Sequence, residues 1–527
     1  MLTRNLRLKR ENGFTTVVVM GMMLLGMLLV AAALASSDGD TKAARHDQYY
    51  KEAYNAADGG INWYFYHLTQ DANYWSQCAS MGKPVWAKNA SNMTFQNIQG
   101  SEAQFEIEVL PAPGQTACTT GVSTSVVDPS SGAFKVRSTG NYRGVHRTVV
   151  ATFRRVGFLN FLYFTDFETL DPVTAGNAQQ QAAATAACSH YYYQSARDQN
   201  ICSDPAFIGQ DTIDGPMHSN DQLLICGHPS FGHQSSDHVE DSDPNSPGYR
   251  VGSGCGTSSP TVPSNDTFRY KQPVLTLPPS NASLKVDADT GAIYTGTTHL
   301  TLKGNQMSVN GGAYVSLPPK GIVYVQNQNC TPQYDSTMDY PQVTDGTGCG
   351  DVYVHSVGDV TSDLTIGADN DIIIDGNITH GSGVEVGLIA NNFVRVYHPI
   401  DRSKSCTINN GQDGNPAANA TSSPEDPSQG SMSDPTIDAA ILAINHSFIV
   451  DNWGCGGDLG DLTVSGAIAQ KYRGTVGTHL GSSIVTGYAK AYSYDYELRY
   501  HQPPYFLDPV QAGWGILQET EQVPPAH

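Results

Sequence analysis

Charged residues are scarce in this chain, and basic residues are scarcer than acidic ones. The 527 residues include 29 lysines and arginines against 50 aspartates and glutamates, which gives a formal net charge of −21, and the four charged types together make up 15%. A chain this acidic has few groups with which to neutralise phosphates, so we expect no nucleic-acid partner. The low charge content also argues against a helical bundle or a coiled coil.

Turn-forming residues are plentiful instead. The chain has 52 glycines and 29 prolines, together with 27 tyrosines and a hydrophobic fraction of 39%. This composition indicates a folded, turn-rich β protein and not a disordered one. At roughly 100–200 residues per domain, the length predicts two or more domains.

The sequence contains no CxxC motif, although it has ten cysteines. Their wide spacing disfavours zinc and thioredoxin-like sites, and in an exported protein it favours disulfides. Spacing alone leaves the connectivity open, and we predict sequential pairing. The predicted pairs are Cys78–Cys118, Cys188–Cys202, Cys226–Cys255, Cys330–Cys349 and Cys406–Cys455.

One long apolar run lies near the N-terminus, at residues 14–35. As a helix it would cover roughly 33 Å, enough to cross a hydrocarbon core of about 30 Å. Basic residues precede the run (Arg4, Arg7, Lys9 and Arg10) and Asp38 follows it. By the positive-inside rule the N-terminus stays in the cytoplasm and the body is exported.

Three interpretations of this run compete. It is a plain membrane anchor, or a secretory signal peptide cut after Ala33-Leu34-Ala35, or a processed leader followed by a retained helix. The third follows from Lys9–Gly13 and Phe14, which resemble the leader of type IV prepilins. That resemblance implies cleavage between Gly13 and Phe14, with 14–35 kept as a transmembrane and filament-core helix.

The residues after the run separate these interpretations. Between Lys42 and Leu68, apolar side chains recur at steps of three and four, which predicts an amphipathic helix; they are Tyr50, Ala53 or Tyr54, Ala57, Ile61 and Phe65. A pilin-like stem requires this continuation, whereas a cleaved signal peptide does not. The segment 53–61 also resembles PilX-type minor pilins. We expect Gly39 and Gly59-Gly60 to bend or interrupt the helix.

Val18 departs from the pattern of major pilins. The resemblance places it at the fifth mature position, where major pilins have a glutamate that pairs with a neighbouring N-terminal amine. Several minor pilins of the PilX and GspK kinds lack that glutamate. The resemblance therefore implies a minor or tip pilin.

The predicted fold class is mainly β with a long N-terminal α-helix. A pilin-like α+β stem domain is followed by a right-handed β-helix, or solenoid, because short apolar triplets such as 352–354 and 372–374 are separated by Gly, Asn and Asp. Alternation near 134–138 and a turn at 141–144 predict a hairpin in the stem. The predicted parts are a leader (1–13), the apolar helix (14–35), an amphipathic helix and sheet (36–156) and a disulfide-stapled solenoid (157–527) with long loops at 231–266 and 407–437.

Parts of the C-terminal region are similar to a domain that accompanies PilX-type N-termini. The matching segments are 215–221 with Cys226-Gly227, 384–397 and 492–506. This similarity covers about 300 residues of the chain. It implies an association with pili and brings no catalytic residues.

Candidate chemistry is sparse. His218-Ser219-Asn220-Asp221 places a base, a hydroxyl and a carboxylate in sequence, but neighbouring strand residues point to opposite faces, which favours a polar turn. Asp369, Asp371 and Asp375 are weak calcium candidates, as are Asp287 and Asp289, because both sets lack EF-hand spacing. We therefore expect no cofactor, with Ca²⁺ as the alternative.

The sequence thus predicts a non-enzymatic minor pilin, or a tip pilin, with a single-pass helix in the inner membrane and its body at the cell surface. Its partners would be other pilin subunits, the pilus assembly machinery, membrane lipid through 14–35, and a surface or polysaccharide ligand. Two alternatives stay open: a surface-delivered carbohydrate-active β-helix enzyme, and an anchored binding module without a filament.

Overall fold

The computed structural model describes residues 14–71, 73–76, 95–116, 119, 125–128, 131–175, 178–263, 268–331, 333–334, 343–344, 348–399, 432–454, 458–480, 483–510 and 513–526. The chain divides into two compact units. The first consists of Met1–Val126, Phe134–Phe153 and Gln518–His527, and the second of Val127–Ala133 and Arg154–Leu517.

Within the described residues, the α-helices are α1 (Phe14–Gln70), α2 (Ala178–Cys188) and α3 (Ala282–Asp287). Short 3₁₀ helices span Tyr74–Ser76, Phe158–Asn160, Pro172–Thr174, Thr290–Ala292 and Tyr496–Arg499. The strands in chain order are β1 (Gln96–Asn97), β2 (Gln104–Val109), β3 (Ala133–Tyr142), β4 (Val145–Arg155), β5 (Tyr163–Leu170), β6 (Phe207–Ile208), β7 (Thr212–Asp214), β8 (Met217–Ser219), β9 (Leu223–Cys226), β10 (Ser230–Phe231), β11 (Val239–Asp241), β12 (Tyr249–Val251), β13 (Ile293–Thr295), β14 (Thr298–Gly304), β15 (Gln306–Val309), β16 (Val315–Ser316), β17 (Ile322–Gln326), β18 (Gln333–Tyr334), β19 (Val343–Thr344), β20 (Val352–Val360), β21 (Leu364–Ala368), β22 (Ile372–Ile374), β23 (Val386–Ala390), β24 (Val394–Val396), β25 (Thr436–Ala443), β26 (Phe448–Val450), β27 (Asp458–Arg473), β28 (Gly477–Leu480), β29 (Ser483–Tyr494) and β30 (Trp514–Gln522).

In the first unit, the second half of α1 packs on a five-stranded sheet with the strand order β1-β2-β3-β4-β30. The residues that α1 buries recur at steps of three and four, as an amphipathic helix requires. They are Ala53, Ala56, Ala57, Ile61, Tyr64 and Leu68. The predicted stripe is therefore right at Ala53, Ala57 and Ile61. Tyr50 and Tyr54 are exposed, and Phe65 is only half-buried because the neighbouring Tyr64 is the aromatic residue that α1 buries.

A two-residue turn joins β3 to β4 in the first unit. Arg143 and Gly144 both have positive φ, at 51° and 80°, which is the conformation that suits the right-handed twist of a tight hairpin. The hairpin and turn predicted at 141–144 are present. Arg143 also donates to the hydroxyl of Tyr49 at 3.1 Å and to Glu102 at 2.7 Å, so the turn contacts α1 directly.

Two glycines let α1 approach the sheet closely. A Cβ added to Gly140 of β3 would lie 2.0 Å from the carbonyl oxygen of Ala53, and one added to Gly60 of α1 would lie 2.8 Å from the ring of Phe105. The expected bend at Gly59-Gly60 does not interrupt α1, which is a single element of 57 residues. Packing at Gly60 compensates for its low helix propensity, since tertiary contacts override propensity.

Two large sheets dominate the second unit. A 13-stranded sheet follows the path β10-β7-β29-β27-β25-β23-β21-β17-β13, with β5, β8, β11 and β28 attached, and a seven-stranded sheet has the order β16-β15-β14-β20-β22-β24-β26. Several of their strands are short and rich in isoleucine and valine, and three of these, β21, β22 and β23, are buried throughout. Strands buried on both faces are expected to be apolar without alternation, which is the pattern of the predicted triplets.

Most neighbouring strands of these sheets pair in parallel and in register. One row of paired positions runs through Ile366, Leu388, Ile441 and Ile468 on β21, β23, β25 and β27. The row continues from Ile468 to Tyr163 on β5, which precedes it in the chain by about 300 residues. The ladder is therefore assembled from both ends of the second unit.

The described residues are mainly β, as predicted, but the predicted solenoid is wrong. A right-handed solenoid requires each turn to stack on the next in chain order, but β27 pairs with both β29 and β5, and β5 pairs with β8. In addition, β15 pairs antiparallel with β14 and β16, and β28 pairs antiparallel with β29. The short triplets identify buried strands, but they carry no information about which strand pairs with which. The positions of these strands are therefore predicted correctly, whereas their pairing is not.

The region 231–266, expected as a long loop, contains β11 and β12. Its Ser, Asp, Gly and Pro content is typical of a loop, but the segment forms two short parallel pairings, of β11 with β8 and of β12 with β9. Buried Val239 and Phe231 tie the segment to the core. Most of the other expected loop, 407–437, lies outside the described residues.

Three of the predicted cysteine pairs are disulfides in the structure. They are Cys188–Cys202, Cys226–Cys255 and Cys330–Cys349. The first joins the end of α2 to the loop that follows, where Ala184 and both cysteines are buried together. Cys78, Cys118, Cys406 and Cys455 lie outside the described residues, so those two pairs stay predictions.

Candidate functional site

The most distinctive surface of the first unit is the apolar half of α1. Between residues 17 and 30, every large hydrophobic side chain is exposed, with exposed fractions of 39–71%. These side chains are Val17, Val18, Val19, Met20, Met22, Met23, Leu24, Leu25, Met27, Leu28, Leu29 and Val30. We call them the apolar segment of α1.

The sequence explains why this segment is helical although it does not pack on its own sheet. Leucine and methionine are strong helix formers and make up eight of the residues from 17 to 30, which include no proline. A Cβ added to Gly21 or to Gly26 would meet no atom within 4 Å, so neither glycine marks a close contact inside the chain. An apolar surface of this extent favours transfer out of water, at roughly 25 cal/mol per Å² buried.

Val18 lies within the apolar segment and is its least exposed large side chain, at 39%. No carboxylate accompanies it, since the sequence from Phe14 to Ser37 contains no charged residue. Gly13 lies outside the described residues, and Phe14 is the first residue of α1. The leader processing predicted at Gly13 and Phe14 stays a prediction.

The second half of α1 is fixed to the sheet by arginine–tyrosine contacts as well as by its buried stripe. The Arg147 guanidinium lies 5.0 Å from the ring centroid of Tyr50 and 5.9 Å from that of Tyr54, and it also forms an ion pair with Glu521 on β30. Such cation–π contacts contribute about 0.5–1 kcal/mol at exposed sites. The second half of α1 is therefore packed against the sheet of the first unit, whereas the apolar side chains of the first half are exposed.

Among the residues that the structure describes, no helix combines the length and the apolarity needed to cross a membrane.

The sequence from His218 to Asp221 forms a buried polar network. His218 hydrogen-bonds to Glu240 at 3.0 Å and to Asn220 at 3.1 Å, while the Ser219 hydroxyl contacts Thr165 at 3.3 Å. All four residues are at most 1% exposed. Their polar atoms bond within the protein, so the segment is a structural link between β8 and its neighbours and not the polar turn expected from the sequence.

Asp221 belongs to a buried ion network that closes the same region. Arg197 donates to Asp221 at 2.6 Å and to Asp204 at 2.9 Å, and Arg250 donates to Asp204 at 2.6 Å. Burial raises the pKa of the Asp221 carboxyl, and Arg197 opposes that rise. Buried charges with paired partners are typical of structural networks.

The three weak calcium candidates have separate partners. Asp369 accepts from the Tyr324 hydroxyl at 2.6 Å, and Asp375 accepts from His355 at 2.8 Å. Asp371 is paired with Arg395 at 3.0 Å. Asp287 and Asp289 lie beside Lys320, whose ammonium donates to the Asp287 carbonyl. The sequence singled out these carboxylates, but the structure does not gather the first three around one point.

Comparison with known proteins gives little further information. No protein-family model matches the chain, and no curated protein sequence matches it. Among solved structures, the chain is similar to the crystal structure of the competence-associated pilin ComZ from Thermus thermophilus, at 13% identity and a TM-score of 0.25. That match covers 90% of this chain and 98% of the other. A TM-score this low carries no argument, so the functional case depends on the residues of this chain.

Proposed function

We propose that this protein is a non-enzymatic subunit of a type IV pilus or pseudopilus, held in the membrane and then in the filament by α1. The observation that carries the proposal is the division of α1. Its half from Ala53 to Leu68 is buried against the sheet of its own unit, whereas its apolar segment is exposed. A helix of this kind suits a subunit that docks on lipid first and on neighbouring helices afterwards.

The sequence around the segment supports the same proposal. Basic residues up to Arg10 precede it, and the Gly13-Phe14 boundary resembles a prepilin leader. Val18 in place of a glutamate suits a minor or tip subunit, because a neighbouring N-terminal ammonium would find no carboxylate to pair with inside an apolar core. The partners proposed are therefore other pilin subunits and the assembly machinery, with the second unit displayed at the cell surface and available to a surface or polysaccharide ligand.

The enzyme alternative has less support. The polar atoms of His218 and Asp221 are hydrogen-bonded to buried neighbours, and both residues are at most 1% exposed. A catalytic group must reach substrate, and these side chains do not.

The proposal predicts that a charge in the apolar segment removes the protein from both membrane and filament. Leu25→Arg places a guanidinium where the account puts hydrocarbon or packed helices, at a cost of about 2.5–3.5 kcal/mol. We expect the amount of protein in the membrane fraction and in sheared surface filaments to fall more than tenfold, measured by immunoblot of the full chain in its producing cell.

Tyr66→Arg is the matched control for this experiment. Tyr66 lies on the same helix and has a similar exposure, 60% against 62% for Leu25. It is outside the apolar segment, so we expect both fractions to be unchanged. Wild-type levels of Leu25→Arg in both fractions would contradict the proposal. Retention of the wild type in membranes without any in sheared filaments would favour the anchored binding module.

A further inference from the structure

A buried glutamate with one unpartnered carboxylate oxygen lies at the start of β23 in the second unit. Glu385 directly precedes β23 and is 1% exposed, and its Oε1 atom has no hydrogen-bond partner among the described residues. Its backbone N–H donates to Asp363 at 2.9 Å, which places a second carboxylate beside it. A buried carboxylate oxygen without a partner is costly, so a cation bound beside it would stabilise the folded state.

Two further metal-binding side chains meet Glu385. One ligand atom each from His380, Glu385 and Asp495 lies within 4.8 Å of the others. His380 lies between β22 and β23 and bridges to Val360. Asp495 directly follows β29 and caps the 3₁₀ helix Tyr496–Arg499, where it accepts from the Glu497 N–H at 2.8 Å. Segments more than 100 residues apart therefore converge on one point.

Further carboxylates surround the cluster. Leu364 pairs with Val386 and Gly387 pairs with Ala440, so Asp363 and Asp438 align with Glu385 on the adjacent strands. Asp495, Glu497 and Asp363 all lie close enough to Glu385 to act on it electrostatically. Arg499, the closest arginine to Asp495 in sequence, pairs with Asp237 instead. The cluster therefore holds negative charge that suits a cation.

We propose that His380, Glu385 and Asp495 bind one divalent transition-metal ion of the zinc class. An imidazole nitrogen with carboxylate oxygens is a donor set for zinc and related ions, whereas calcium and magnesium prefer oxygen donors alone. Zinc ligands lie about 2.0–2.2 Å from the ion, hence at most roughly 4.4 Å from each other, so a spacing within 4.8 Å needs only small side-chain movements.

The orientation of His380 suits this role. Its Nδ1 contacts the carbonyl oxygen of Gly381 at 3.1 Å, which leaves Nε2 for the ion and fixes the ring. The ion would tie the segment after β29 to the strand ends at β21, β23 and β25. It would act as a structural link within the second unit, independent of the proposed pilus function, and would stabilise the folded state by mass action.

Zinc titration of the full-length, detergent-solubilised protein tests the site. After EDTA treatment and removal of the chelator, we expect Zn²⁺ to bind at one ion per chain and to raise the unfolding temperature of the second unit by about 2–4 °C. We expect Ca²⁺ to give no such shift. Co²⁺ in place of Zn²⁺ should give visible d–d absorption. A shift with Ca²⁺ and none with Zn²⁺ would overturn the assignment, and so would the absence of any shift.

Three variants locate the ion. Glu385→Gln removes one proposed ligand while keeping the size of the side chain, so we expect the Zn²⁺ shift and the Co²⁺ absorption to be lost. His380→Ala should lose both metal signals. His355→Ala is the control, because His355 forms a separate pair with Asp375 at 2.8 Å, and it should keep both signals. Full metal signals in Glu385→Gln and His380→Ala would overturn the proposal.

Discussion

Gly140→Ala is expected to destabilise the first unit by about 3 kcal/mol or more. The new Cβ would lie 2.0 Å from the carbonyl oxygen of Ala53 and 2.5 Å from the backbone nitrogen of Ala57, both on α1. Neither atom belongs to a flexible side chain, so the helix itself must move away from β3. Overpacking commonly costs about 1–3 kcal/mol, and a clash with helix backbone belongs at the upper end or beyond.

Gly59→Ala is the matched control for that substitution. Gly59 lies on α1 next to the contact, but nothing lies within 4 Å of its added Cβ. We expect it to stabilise the helix by about 0.5–1 kcal/mol, because alanine has the higher helix propensity. Hydrogen exchange of the β3 and β4 amides in the full chain measures both changes. Wild-type protection in Gly140→Ala would contradict the close packing of α1 on the sheet.

Acid is expected to weaken the second unit through His398. This histidine is buried, with Nδ1 at 3.0 Å from the Asp451 carbonyl oxygen, and burial lowers its pKa from 6.5 to about 4. Above about pH 6.5 the histidine is neutral in both the folded and the unfolded state, so its protonation takes nothing from the free energy of unfolding. As the pH falls from 6.5 to 4, only the unfolded state gains the proton, so stability is lost, by about 3 kcal/mol in total.

A non-titrating variant isolates this contribution. In His398→Gln the loss of stability from histidine protonation is absent, while every other titrating group remains. We expect the difference in unfolding free energy between wild type and variant to shrink by about 3 kcal/mol between pH 7 and pH 4, measured by denaturant titration. A constant difference would show that burial does not hold His398 neutral.

Local patterns in the sequence predicted local structure well. The β3–β4 hairpin followed from alternation around 134–138 and from the turn at 141–144. The disulfides Cys188–Cys202, Cys226–Cys255 and Cys330–Cys349 followed from sequential pairing. In each case the partners lie within about 30 residues, so spacing and turn chemistry contain most of the information.

Long-range pairing could not be predicted in the same way. The pairing of Ile468 with Tyr163 joins strands about 300 residues apart, and nothing in either strand specifies the other. The apolar triplets were correctly identified as buried strands, but their assembly as a solenoid was wrong. The C-terminal strand β30 likewise joins the sheet of β4, far from its neighbours in sequence.

The two candidate sites differ in the same way, since one is contiguous in the sequence and the other is assembled by long-range pairing. The apolar segment of α1 is contiguous in sequence, so its composition alone identified it. His380, Glu385 and Asp495 were missed, because a single histidine and two acids in an acid-rich chain have no motif spacing. Only the register of β21, β23 and β25, with the turn after β29, brings these side chains together.

The mature N-terminus tests the central proposal most directly. Protein isolated from the membrane fraction and from sheared filaments can be digested and its first peptide identified by mass spectrometry. We expect this peptide to begin at Phe14, because a leader ending at Gly13 is removed and the apolar segment of α1 is retained. A first peptide beginning at Ser36 would contradict the account, since the apolar segment would then have been removed and the protein released as a secreted one.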